Sequence, residues 1–77
     1  MDDWKERLKS EYAQTKERYE KLKAWNNKQD VKRRLSPCMV KVEDEYNADL
    51  CHEQQSIMGH YLHILELRAE VYGIELN

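Results

Sequence analysis

The 77-residue chain is 36% charged, lacks Phe, and holds only two Gly and one Pro at a net charge of -2, a composition that suits helices with long solvated faces better than a sheet or a barrel. It is one domain at most, and at this length about 60% of the unfolded surface is buried, which leaves a lone monomer marginal. The negative balance argues against binding double-stranded DNA, and no run approaches the roughly 18 apolar residues of a membrane span.

The charges are unevenly placed. Residues 1–41 hold 12 Lys or Arg against 7 acids, and residues 42–77 hold one Arg against 8 acids. Halves of opposite sign fit an antiparallel hairpin, or an oligomer in which each half meets the other. Cys38 and Cys51, with no secretory leader pattern before them, read as free thiols of a cytosolic protein.

Asp2 or Asp3 suits a helix N-cap. From there Leu8, Tyr12, Thr15, Tyr19 and Leu22 recur at spacings of 4, 3, 4 and 3, a coiled-coil-like seam that predicts a first helix over about residues 3–27. Asn26 to Asp30 lose the apolar period and favour turns, which predicts the helix end. A connection over about residues 28–45 follows, and it carries the basic cluster Lys28, Lys32, Arg33 and Arg34. That cluster reads either as a solvated loop or as an anion site, since Arg forks two hydrogen bonds to a phosphate and Lys supplies a point charge. Ser36 and Pro37 fit the start of a short helix, whereas Cys38 to Val42 reads equally well as extended, so residues 36–45 stay open.

The second helix is expected over about residues 46–72 and carries two adjacent apolar stripes. One is Ile57, Tyr61, Ile64 and Val71; the other is Met58, Leu62, Leu65, Ala69 and Tyr72. A narrow seam on helix one covers only one of them, and an uncovered stripe favours self-association. The expectation is therefore an all-α antiparallel helical hairpin, one domain over residues 1–77, assembled into a homo-oligomeric bundle through Ile57, Met58, Leu62, Leu65, Ala69 and Tyr72. Gly59, amid this apolar region, predicts a close approach by another group, and Gly73 with Ile74 fits a left-handed C-cap.

Catalytic patterns are weak. His60 and His63 have ligand spacing but no third ligand in a recognisable pattern, so no metal and no cofactor are expected. Neither cysteine is tied to a histidine by any motif, and an enzyme is not expected. Tyr12, Tyr19 and Trp25 with Lys16, Lys23, Lys28 and Arg33 suggest instead a site that stacks a base and holds phosphates, the plainer reading of the tyrosines being seam packing.

In helix one Leu8, Glu11, Tyr12, Arg18, Leu22 and Trp25, and in helix two the pattern QxxxMxxYxxxLxxR formed by Gln54, Met58, Tyr61, Leu65 and Arg68, resemble the crAss-phage-related family of small helical-hairpin proteins. The connection here, with its basic cluster and Pro37, is longer than that family's usual link. The resemblance implies a phage or prophage origin, a location in the host cytoplasm and a role in countering bacterial immunity. Two mechanisms fit. An oligomer of hairpins sequesters a small nucleotide immune signal, with Tyr12, Tyr19, Lys28, Lys32, Arg33, Arg34, Tyr61 and Arg68 as ligand contacts. Alternatively the surface binds a host immune protein, including by acidic nucleic-acid mimicry; an assembly role in the phage life cycle is a third reading.

Overall fold

Leu8, Tyr12 and Thr15 are buried along one line of the first helix and Leu62, Leu65 and Ala69 along one line of the second, so the two seams face each other, as recurrences of three and four require. In the computed structural model, which describes residues 3–36, 38 and 41–76, helix α1 spans Asp3–Leu35 and helix α2 spans Val42–Val71. They form an antiparallel hairpin 56 Å long and 18 by 16 Å across. Among the described residues no helix is long and apolar enough to cross a membrane.

Helix α1 continues past the end expected at residue 27, and the reason is polar. Its seam does not stop at Leu22. Steps of four, four and three carry it on through Asn26, Asp30 and Arg33, and these side chains bond to α2 or to each other instead of making a turn. The Asn26 side chain is fully buried; its Nδ2 donates to the Cys51 carbonyl at 3.1 Å and to Gln55 Oε1 at 2.8 Å. Asp30 Oδ1 lies 2.8 Å from His52 Nε2 and accepts from Arg33 Nη2 at 3.0 Å. The basic cluster expected in a loop is thus the last stretch of α1, where cations suit the negative helix end.

The connection is correspondingly short. Lys41 is extended ahead of α2, and the acids Glu43, Asp44 and Glu45 in its first turn suit the positive helix end. Readings placed on Asp2, Pro37, Met39 and Val40 lie outside the described residues.

The far end of the hairpin holds the apolar core. Leu8, Tyr12, Leu62, Leu65 and Ala69 form one cluster, with Trp4, Tyr19, Ile74 and Leu76 packed on it. Trp4 at the start of α1 meets Tyr72 edge to face, with centroids 4.8 Å apart. Helix α2 ends as expected: Gly73 takes φ 64°, its N–H donates to the Glu70 carbonyl, and the Ile74 N–H donates to the Ala69 carbonyl at 2.8 Å. That is the Schellman arrangement, with Ile74 supplying the apolar contact. The close approach expected at Gly59 is made by Tyr19, whose ring would stand 3.3 Å from an added Cβ.

Candidate functional site

Helical geometry gathers polar side chains beside the seam around depressions along the hairpin, among them one at each end and one between. At the open end, Trp4, Arg7, Leu8 and Glu11 from α1 meet Tyr61, Leu65 and Arg68 from α2 around a cleft of about 220 Å³. Trp4, Arg7 and Glu11 fall on one face of α1 because they are three and four residues apart, and Tyr61, Leu65 and Arg68 share a face of α2 for the same reason. Each helix contributes one aromatic ring and one guanidinium. Lys5 adds a cation 5.9 Å from the Trp4 ring.

The electrostatics of the cleft are mixed. Arg7 and Arg68 are forks suited to phosphate or carboxylate, while Glu11 offers an acceptor and already receives the Thr15 hydroxyl at 3.0 Å. Burial raises the Tyr61 hydroxyl above its ordinary value, the Glu11 carboxylate raises it further, and Arg68 draws it back down. Tyr61 is therefore a neutral phenol with an apolar face and a hydrogen-bonding tip.

On the opposite side of the seam, Tyr12, Lys16, Tyr19, Glu20, Gly59, Leu62, His63 and Glu66 line a second depression of about 240 Å³. Here the Tyr12 hydroxyl donates to Glu66 Oε2 at 2.7 Å, which together with burial and the nearby negative charge pushes its pKa up. Lys16 stands 5.7 Å from the Tyr12 ring. This hydroxyl is engaged in the fold. At the loop end, two carboxylates, Asp30 and Glu45, and two guanidinium groups, Arg33 and Arg34, surround a third depression of about 280 Å³.

The residues expected to form one ligand site are thus distributed along the molecule. Tyr61 and Arg68 sit in the open-end cleft, Tyr12 and Tyr19 in the middle, and Lys28, Lys32, Arg33 and Arg34 towards the loop end. Trp4, Arg7 and Glu11 were not among them, although their i, i+3, i+7 spacing mirrors the i, i+4, i+7 spacing of Tyr61, Leu65 and Arg68. Of the side chains expected to meet other copies, Leu62, Leu65 and Ala69 are buried within the hairpin itself, Met58 is half-buried, and Ile57 and Tyr72 are exposed. His63 Nδ1 is 4.0 Å from Glu66 Oε1, and Cys38 and Cys51 are free thiols.

A family model described as Sequestin matches residues 2–71. The match carries no statement about crAss-phage-related proteins. No curated protein and no solved structure matches the chain.

Proposed function

The chain belongs to the Sequestin family, and on that premise we propose that it works by binding and holding a small molecule without transforming it, the molecule being a nucleotide immune signal. The family's name is consistent with a sequestering role. The observation that carries the finer reading is the open-end cleft, in which Trp4 and Arg7 of α1 face Tyr61 and Arg68 of α2.

The chemistry of that lining selects its ligand class. Flat aromatic groups stack on indole and phenol rings at about 1 to 3 kcal/mol per base, and two guanidinium groups on separate helices can hold phosphates on either side of a stacked base. Glu11 would accept from a base N–H or a ribose hydroxyl, which favours a nucleotide over a simple aromatic acid. Holding needs only affinity, so no nucleophile or general base has to be supplied. A phage or prophage setting and a host-cytoplasmic location belong to the same proposal, because there a captured messenger is withdrawn from an immune receptor.

Thermal shifts against cyclic dinucleotides, cyclic trinucleotides and ADP-ribose derivatives test it. A ligand at about 100 times its dissociation constant stabilises the fold by about 2.7 kcal/mol, and denaturing the complex should return the nucleotide unchanged. No shift with any member of the panel, or recovery of a cleaved product, would refute the proposal.

A further inference from the structure

Among the described residues, nothing in the hairpin covers the α2 stripe that runs through Ile57, Ile64 and Val71. Leu50, Ile57, Ile64 and Val71 stand 46%, 64%, 39% and 75% exposed, and they recur at a strict spacing of seven. A spacing of seven drifts about 20° per repeat on a straight helix, so such a stripe stays in register only with another helix that coils around it. Tyr46 and Leu67, also exposed, lie one turn before Leu50 and Val71 and widen the stripe. We infer that this face of α2 packs against the same face of a second copy of this chain, with the two α2 helices antiparallel.

Area and charge single out that occupant. The exposed parts of these six side chains amount to on the order of 600 Å², most of the roughly 800 Å² per partner in a standard stable interface. The stripe is self-complementary when reversed, since Ile57 then faces Ile64 and Leu50 faces Val71, which is the condition for a two-fold interface. Reversal also matches charge. Helix α2 carries Glu43, Asp44 and Glu45 in its first turn, so a parallel pair would set acidic ends side by side, while the antiparallel pair keeps those ends apart, sets Arg68 level with Glu53 of the other copy and opposes the helix dipoles. None of this rests on the ligand reading of the cleft.

The test is the mass of the full chain in solution. Sedimentation equilibrium at about 100 μM should give twice 9.4 kDa, a concentration at which an interface of this size is populated. Ile57→Asp together with Ile64→Asp should halve that mass while circular dichroism keeps its helical signal, because neither side chain packs in the hairpin core. A monomeric parent chain would overturn the inference, including one that captures a different protein through this stripe, and so would a dimer that survives the double substitution. Orientation is read by mixing two chains in which Cys38 and Cys51 are replaced by Ser, one with Ile57→Cys and the other with Ile64→Cys. Oxidation should yield mainly the mixed disulfide between the two variants. Predominance of a disulfide joining two copies of the Ile57→Cys variant would contradict the antiparallel arrangement.

Discussion

Asn26 and Gln55 meet across the middle of the hairpin, where Asn26 Nδ2 donates to Gln55 Oε1 at 2.8 Å while also reaching the Cys51 carbonyl. Asn26 Oδ1 is buried without a partner among the described residues, so the residue is held for the contacts its amide makes to α2. Asn26→Ala should cost about 1 to 3 kcal/mol, the usual penalty for deleting one partner of a buried hydrogen-bonded pair. Urea unfolding followed by circular dichroism measures it. An unchanged midpoint would mean that the polar half of the hairpin is not held by this contact.

Tyr12 and Glu66 make the corresponding polar link at the apolar end. Tyr12→Phe should destabilise by about 1 kcal/mol, toward the low side for a charge-assisted bond because Glu66 is half-exposed and rehydrates. The Tyr12 pKa is raised in the fold, so its contribution is fully present below the unfolded value near 10.0 and is lost as pH rises through the folded one. Ultraviolet titration should show Tyr12 and Tyr61 ionising late, and Tyr12→Phe should remove one late component.

Asp30 responds at the other end of the pH scale. Its hydrogen bond with His52, followed by that from Arg33, holds the carboxyl below 3.8. A depressed carboxyl adds stability above its unfolded pKa, and that stability disappears as pH falls through the folded value. When melting temperatures at neutral and strongly acidic pH are compared, Asp30→Asn should show a smaller loss on acidification than the parent chain; an equal loss would assign the acid sensitivity elsewhere.

The two glycines should behave oppositely. At Gly73 the positive φ strains any L side chain although nothing crowds it, so Gly73→Ala should cost about 1 kcal/mol. At Gly59 the backbone is helical and an added methyl meets only the half-buried Tyr19 ring. Gly59→Ala should therefore recover helix propensity and stabilise by up to about 1 kcal/mol. Thermal melts that order these two variants the other way would contradict the account of both positions.

The hairpin was legible because its apolar seams obey helical spacing: Leu8, Tyr12 and Thr15 on one side, Leu62, Leu65 and Ala69 on the other. That α2 carries one stripe too many was legible, but which one is left over was not: Leu62, Leu65 and Ala69, expected to meet other copies, belong to the seam, and Ile57, Ile64 and Val71 are the ones left exposed. The length of α1 was not, because Asn26 and Asp30 are turn formers in isolation and helix residues here only through Cys51, Gln55 and His52. Burial at the seam follows position, and polar residues at seam positions give no periodic apolar signal. The open-end cleft was half legible. Tyr61 and Arg68 stood out within α2, but their pairing with Trp4 and Arg7 depends on which ends of the two helices meet.

The central claim is that the cleft between Trp4, Arg7, Tyr61 and Arg68 holds a nucleotide. Isothermal titration of the parent chain with the panel member that gives the largest thermal shift, repeated with Arg7→Ala, Arg68→Ala and the pair Arg33→Ala with Arg34→Ala, tests it most directly. The account predicts that each open-end variant weakens binding at least about tenfold, the loss of one charge-assisted contact worth about 1.4 kcal/mol or more, while the loop-end pair binds as the parent does. Undiminished binding by Arg7→Ala and Arg68→Ala, with affinity lost in the Arg33 and Arg34 pair, would contradict it and move the site to the far end of the hairpin.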